Sequence, residues 1–232
     1  MNACLVWFRR DLRASDHAAL SHALATGAPV HGVFVFDSDI LEALPDRADR
    51  RVEFIWRSVA ELKTRLATGG IPLHVLHGPA RSRVVDLAQR LDVREVHANR
   101  DYEPFAVARD AAVAEALAAA GRRLVTHKDQ VIREAGELLT GAGTPYHVFT
   151  PYRRAWLARL GQADLAPWPC ELPAAGLSPD RVTAMPSLAD LGFAASDLDA
   201  LRIVPGESGA QALWCDFQAR IDDYKALRDF PA

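Results

Sequence analysis

The sequence predicts an α/β fold, a doubly wound parallel sheet of five strands in the order 3-2-1-4-5. Short apolar runs recur along the first half of the chain, and their lack of polar alternation is typical of strands buried on both faces. Segments of helical period lie between these runs, as parallel strands require. Glycines and capping residues mark the ends of the segments. The predicted strands cover residues 4–8, 30–36, 73–77, 94–98 and 124–127.

The first strand leads directly into a charged loop. Residues 9–16 contain three arginines and two aspartates. Ser15 and Asp16 are candidate N-caps for a helix over residues 17–27. The loop therefore follows the carboxyl end of a buried strand, which is where open α/β sheets bind ligands.

Three longer helices are predicted between and after the remaining strands. They cover residues 48–68, 82–91 and 104–120, and Gly69 and Gly121 follow the first and the last of them. The helix over residues 48–68 carries an apolar face at helical spacing, which makes Trp56 a core residue rather than part of a cofactor site. That face consists of Val52, Ile55, Trp56, Val59, Leu62 and Leu66.

A ligand site is expected where the strand order reverses, between strands 1 and 4. The loops that follow these two strands, residues 9–16 and 99–104, are the most charged of the sheet. The second loop contains Asp101 and Glu103. Two interpretations of these carboxylates stay open: they cap the helix that follows, or they bind a ligand.

The pattern changes after Asp129. Residues 1–134 are predicted to form the α/β domain, residues 135–205 an interdomain connector and residues 206–232 the start of a helical domain. The connector contains a short helix over residues 152–160, and its remainder, residues 161–205, carries six prolines and little periodicity.

The last predicted helix covers residues 208–228 and has an apolar stripe. A stripe of this size normally packs against further helices, so the chain is expected to be a portion of a longer protein. Left uncovered, the stripe predicts self-association. It consists of Leu213, Trp214, Phe217, Ile221 and Tyr224.

Composition indicates a globular protein. The net charge of −3 over 232 residues gives no general attraction to nucleic acid. No apolar stretch is long enough to cross a membrane and no secretory signal is present, so a cytoplasmic location is expected. The three cysteines, Cys4, Cys170 and Cys215, lack the spacing of a zinc site or a disulfide framework, and no metal site is predicted.

Common catalytic and nucleotide-binding motifs are absent from the sequence. Neither a P-loop nor a dinucleotide fingerprint follows the first strand. The eight histidines form no metal-hydrolase motif. The histidines in or beside strands are interpreted as satisfied sheet residues; these are His74, His77, His97 and His127.

Several segments resemble the DNA photolyase and cryptochrome family, in the family's order along the whole chain. The opening segment, residues 5–13, reads LVWFRRDLR and is a specific match. The others are GIPL at 70–73, NRDYEP at 99–104, YHVFTPY at 146–152 and YKALRDFP at 224–231. The family has an α/β domain that can hold a light-harvesting antenna, a long connector, and a helical domain that binds FAD and damaged DNA.

The resemblance implies blue-light-driven repair of cyclobutane pyrimidine dimers, a carbon–carbon lyase reaction of a protein that is monomeric when complete. Glu103, with Asp101 beside it, would bind an antenna chromophore, Tyr224 would contact FAD, and Arg228 would contact DNA phosphate. The FAD diphosphate loop is expected after Pro231, so no catalytic residue is expected within this chain, which alone is predicted to be inactive.

Several alternatives stay open. The antenna would be a reduced folate or a deazaflavin, or the cleft would be empty, because residues 37–51 do not match the folate-binding pattern clearly. A cryptochrome-type light sensor and a free-standing ligand-binding module without catalysis are the competing functions.

Overall fold

The fold is built on a five-stranded parallel sheet in the order β3-β2-β1-β4-β5, as the sequence predicts. The structure is a computed structural model, and it describes residues 3–173 and 184–229. The central strand, β1, pairs with β2 on one side and β4 on the other. The strands are β1 Cys4–Phe8, β2 Val30–Asp37, β3 Leu73–Gly78, β4 Glu95–Asn99 and β5 Arg123–His127.

Helices cover both faces of this sheet. Those of the α/β part are α1 Ala18–Ala25, α2 Ser38–Leu41, α3 Arg50–Thr68, α4 Ala80–Arg90 and α5 Pro104–Ala119. Those that follow β5 are α6 Phe149–Ala158, α7 Gln162–Leu165, α8 Glu207–Gln218 and α9 Tyr224–Leu227. The predicted boundaries differ from these mainly by a few residues; the short helix α2 lies where a polar loop was expected.

Two apolar cores separate the sheet from its helices. Helices α1 and α3 pack on one face around Val6 and Phe8, and α4 and α5 pack on the other around Leu5 and Trp7. Successive residues of β1 point to opposite faces, so an unbroken apolar strand serves both cores. All five residues of β1 are buried.

The second half of the predicted connector packs against the α/β part of the protein. Leu191, Phe193 and Leu198 are buried, the first two in the same core as α3. The indole Nε1 of Trp56 donates to the Pro186 carbonyl at 2.8 Å. Trp56 is thus a packing residue on α3, as expected, with its polar end satisfied by the connector.

The prediction of one continuous helix over residues 208–228 is wrong. Helix α8 ends at Gln218, a 3₁₀ turn covers Ile221–Asp223, and α9 follows it. Isoleucine and two aspartates in succession have low helix propensity, which accounts for a break at this point. The break brings the rings of Phe217 and Tyr224 into an edge-to-face contact at 5.9 Å.

Helix α6 begins three residues before the predicted start of the connector helix at residue 152. Its first residue is Phe149, so Pro151 lies in the first turn. Proline is tolerated there because the first backbone N–H groups of a helix have no partner within it.

Across residues 3–173 and 184–229, no helix combines the length and apolar character that crossing a membrane requires.

Candidate functional site

A cavity of about 660 Å³ opens at the carboxyl ends of β1, β2 and β4. It lies where the strand order reverses, the position expected from the sequence. Its walls come from the loop after β1, the ends of β1 and β2, helices α2 and α3, and the first turns of α5 and α8. Pockets of this size accommodate a drug-sized or cofactor-sized molecule.

Asp11 organises the loop after β1. Its carboxylate accepts hydrogen bonds from the Arg9 backbone N–H at 2.8 Å and from Asn99 Nδ2 at 2.7 Å, and His17 Nε2 lies 3.0 Å from it. His17 is fully buried, and its Nδ1 accepts from the Leu20 N–H at the start of α1. Burial alone would raise the pKa of Asp11, but the hydrogen bond from His17 and the nearby positive charge lower it well below its usual range.

A second carboxylate fixes the same loop from the other side. Asp129 accepts two hydrogen bonds from Arg13, at 2.8 and 2.9 Å, and a third from the Ala18 N–H at 3.0 Å. Asn99 adds a link to α1, because its Oδ1 accepts from the Ala19 N–H at 2.8 Å. The loop is therefore held in place before any ligand arrives.

Asp101 and Glu103 both lie at the rim of this cavity, with the loop after β1, as expected. Arg10 bridges them: its Nη2 lies 2.5 Å from Glu103 and its Nε 3.4 Å from Asp101. The Asp101 side chain is 6% exposed and that of Glu103 60%. Asp101 thus holds Arg10 from inside while Glu103 presents its carboxylate to solvent. The Glu103 side chain makes no capping hydrogen bond at the start of α5, whereas Asp101 accepts one from the Glu103 N–H at 3.3 Å.

A cluster around Trp7 forms part of the wall. The Arg9 and Arg109 guanidinium groups lie over the indole ring, at 5.0 and 4.9 Å from its centroid. Both arginines pair with Asp110, with Arg109 Nη2 at 3.0 Å. Cation–π contacts and a shared carboxylate keep these two positive charges beside the cavity.

The remaining wall is largely apolar. Helix α3 contributes Phe54 and Ile55, and β2 contributes three further apolar residues. Ile55 is 38% exposed, so this part of the α3 stripe faces the cavity instead of the core. Apolar walls with a charged rim favour a flat, largely apolar ring system that carries a few polar groups. The β2 residues are Phe34, Val35 and Phe36.

The start of α8 closes one side of the cavity. The Glu207 carboxylate accepts from the Ala14 N–H at 2.9 Å and from the Ser15 hydroxyl, so it ties α8 to the loop after β1. Gly206 precedes it with φ of +96°, and a Cβ at this position would overlap the Glu61 carboxylate. Glu61 in turn accepts from the Ser208 N–H at 2.8 Å.

A family model described as DNA photolyase matches residues 4–174. The chain belongs to the DNA photolyase family. A deoxyribodipyrimidine photo-lyase from a Synechococcus strain is 37% identical over 98% of this chain and 48% of its own length. This photolyase-family chain therefore spans about half the length of the curated relatives it matches.

Solved structures agree with this assignment. A bacterial class III photolyase from Agrobacterium tumefaciens is 29% identical and superposes with a TM-score of 0.81, covering 100% of this chain and 48% of its own. A Synechocystis cryptochrome, at 21% identity, has the same fold, with a TM-score of 0.81 over 98% of this chain and 49% of its own.

The other two sequence-predicted residues of this photolyase-family chain lie away from the cavity. Tyr224 is 53% exposed on α9, and the Arg228 guanidinium lies 3.6 Å from Asp229. Within the described ranges, neither residue lines the cavity that Asp101 and Glu103 border. The structure therefore separates the predicted antenna residues from the predicted flavin and DNA residues.

Sequence reasoning missed several residues of the cavity. Glu207 and Gly206 come from a segment about 100 residues after the α5 start, and the sequence carries no local signal that brings them to the loop after β1. The aromatic run of β2 was available as a signal, because buried aromatic residues at a strand end commonly line pockets in such sheets.

Proposed function

We propose that this chain is the N-terminal part of a light-driven DNA repair enzyme and that its cavity holds an antenna chromophore. The observation that carries this proposal is the cavity at the carboxyl ends of β1, β2 and β4, bordered by Asp101, Glu103 and Arg10, in a chain of the DNA photolyase family. Such an antenna absorbs light and passes the excitation on.

The residues present fit a planar heteroaromatic antenna, either a reduced folate or a deazaflavin. Phe34, Phe36 and Phe54 offer apolar surface for a ring system. Glu103 offers an exposed carboxylate that accepts paired N–H groups from a ring edge, and it leaves its contact with Arg10 to do so. Arg10 then stays beside Asp101, so the charge at the rim remains balanced.

The complete protein would use FAD as the electron donor to a cyclobutane pyrimidine dimer in DNA. Tyr224 would contact the flavin and Arg228 a DNA phosphate, for which a guanidinium is well suited. Residues 1–134 would form the antenna domain, 135–205 the connector and 206–232 the start of the flavin domain. The complete protein would act in the cytoplasm as a monomer.

The test is a chromophore titration of the 232-residue chain, followed by fluorescence, with a reduced folate and separately with a deazaflavin. Glu103→Ala is expected to weaken binding of the true antenna by about 1.5 to 3 kcal/mol, because one charged hydrogen-bond partner is lost. Glu115→Ala is the matched control, since Glu115 is exposed on α5, the helix that begins directly after Glu103.

Binding of neither chromophore, or equal affinity of the Glu103→Ala variant and the unaltered chain for both, would contradict the antenna assignment. Binding of only one chromophore identifies the antenna class.

A further inference from the structure

Three residues with metal-binding side chains meet at the amino ends of β1 and β4. The cavity lies at the opposite, carboxyl ends of the strands. Cys4 pairs with Glu95 across the two strands, and His97 lies two residues further along β4. Side chains at these positions share one face of the sheet. One ligand atom from each, the Cys4 Sγ, a Glu95 oxygen and a His97 ring nitrogen, all lie within 4.8 Å of one another.

A buried ring nitrogen provides a second, independent observation. His97 Nδ1 lies 3.0 Å from His127 Nε2 and is occupied by that contact. His97 Nε2 is buried, and among the residues that the structure describes it has no hydrogen-bond partner. Oε2 of Glu95 lies 3.3 Å from it, a distance at which the two groups form an ion pair only if the ring is protonated. A buried polar atom without a hydrogen-bond partner is unusual, and a bound ion would account for it.

The other contacts of the three residues leave this space accessible to a cation. Arg123 binds Glu95 through the other carboxylate oxygen, Oε1, with Arg123 Nε at 3.0 Å, so Oε2 remains directed towards His97. Cys4 Sγ has a long contact of 3.7 Å with the Thr26 hydroxyl.

We propose that Cys4, Glu95 and His97 bind a divalent cation of the zinc class, with water as a fourth ligand. Sulfur, nitrogen and oxygen together favour zinc over magnesium or calcium, which prefer oxygen alone. Bonds of about 2.0 to 2.3 Å place the ligand atoms of a tetrahedral site about 3.5 Å apart. The 3.3 Å between His97 Nε2 and Glu95 already meets this spacing.

One surrounding residue shapes the site. His127 holds the His97 ring through Nδ1, as an outer partner of a metal-bound histidine does. Metals bind the thiolate form of cysteine, so binding at Cys4 forms one metal–sulfur bond and releases the thiol proton to solvent. Bound metal would join β1 to β4 at the edge remote from the antenna cavity.

The experiment titrates the full 232-residue chain with Co²⁺ and follows its absorption, then displaces the cobalt with Zn²⁺. We expect one equivalent to bind with a thiolate-to-cobalt charge-transfer band, and Zn²⁺ to raise the thermal midpoint. Cys4→Ser should abolish that band, while Cys215→Ser, which alters an exposed cysteine, should leave it unchanged. His127→Phe should weaken binding by about 10- to 100-fold.

Because substitutions of buried residues can affect folding, circular dichroism is recorded for every variant. Glu95→Gln provides a second test, since Glu95 is partly exposed and glutamine has the same shape. It should weaken cobalt binding while leaving the fold intact. Cobalt binding without a charge-transfer band, a band that survives in Cys4→Ser, or no binding of Co²⁺ and Zn²⁺ would each overturn the proposal.

Discussion

Asp11 shows how one buried carboxylate positions the loop after β1. Asp11 contacts the backbone of Arg9 in the same loop, the ring of His17 just before α1, and the side-chain amide of Asn99 at the end of β4. These contacts explain why the residue directly after the two arginines is acidic: its carboxylate accepts hydrogen bonds from the backbone of the turn that directs Arg10 towards the cavity and from Asn99 on β4.

Asp11→Asn is predicted to lower the free energy of unfolding by about 2 to 3 kcal/mol at neutral pH, since the charged acceptor of three hydrogen bonds is lost. The pKa of Asp11 is depressed in the folded protein. Its contribution is therefore fully present above the unfolded value of about 3.9 and is lost as pH falls through the folded value. The difference between the two proteins, measured by urea unfolding, should be constant at neutral pH and shrink below about pH 4.

Asp86→Asn is the matched control, because Asp86 is exposed on α4. It should change stability by less than about 0.5 kcal/mol. A loss in Asp11→Asn that stayed constant down to the lowest measurable pH would show that the carboxylate charge is not what stabilises the loop.

The candidate site was predictable from sequence only where its residues follow strands. Asp101 and Glu103 lie just after a predicted strand, and the rule that ligands bind at the carboxyl ends of parallel strands places them beside the loop after β1. Glu207 and Phe54 lie on helices, and which residue of a helix reaches a cavity depends on tertiary packing. The cluster of Cys4, Glu95 and His97 was missed because its members lie on separate strands, without a local spacing to recognise.

At the level of elements, α3 links the sheet to the connector. Glu53 on α3 is buried, and its carboxylate accepts from the Ser196 N–H and hydroxyl, both at 2.6 Å. It also pairs with Arg57 at 2.5 Å. The hydrogen bonds from Ser196 lower the pKa of Glu53, so the carboxylate is charged at neutral pH.

Glu53→Gln is predicted to destabilise the protein by about 1.5 to 3 kcal/mol and to loosen the connector, because an amide cannot replace a charged acceptor of these hydrogen bonds. Amide hydrogen exchange at Ser196 should accelerate, and urea unfolding gives the free energy. Glu42→Gln, at an exposed position, is the control. Unchanged exchange at Ser196 in Glu53→Gln would mean that apolar packing alone holds the connector.

The last helices expose a continuous set of apolar side chains. The exposed fractions are 57% for Leu213, 49% for Trp214 and 56% for Leu227. We predict that the chain self-associates through this surface. Replacing Leu213 and Trp214 together by Gln should reduce the concentration dependence of the weight-average mass in sedimentation equilibrium.

Val107→Gln is the control for this surface, because Val107 is 52% exposed on a different helix, α5. If the double variant and the unaltered chain had the same mass at every concentration, this surface would not be the site of association.

Strands were more predictable than the final helix. Each strand contains a short apolar run, and all five occur within about one residue of the predicted range, although β4 and β5 also carry charged and polar residues. The final helix was predicted from a periodic stripe, but the stripe continues through Ile221 and Tyr224 although the backbone is not α-helical at residues 221–223. Periodicity reports which residues share a face, whereas local propensity decides where the helix breaks.

At the scale of the whole molecule, the proposed antenna cavity and the Tyr224 region are separate. Several elements enclose the cavity, among them the loop after β1, strand β2 and helices α3, α5 and α8. Tyr224 lies on the four-residue helix α9 and is half exposed. A pocket for a cofactor normally buries most of the ligand surface, and a single short helix provides one wall.

The 232-residue chain alone is therefore predicted neither to retain FAD nor to repair dimers. Gel filtration after incubation with FAD should separate the flavin from the protein. An oligonucleotide containing a cyclobutane dimer should keep its dimer under blue light in the presence of reduced flavin and this chain.

The full-length Synechococcus photo-lyase, assayed in parallel, shows that the light and the reductant suffice, and a dark sample of each accounts for losses that do not depend on light. Free reduced flavin without protein measures repair in solution. Light-dependent removal of dimers by this chain, faster than by free flavin, would contradict the prediction. It would mean that the chain encloses the flavin more fully than the single wall provided by α9 allows. The same result in Tyr224→Ala would place the flavin site elsewhere in the chain.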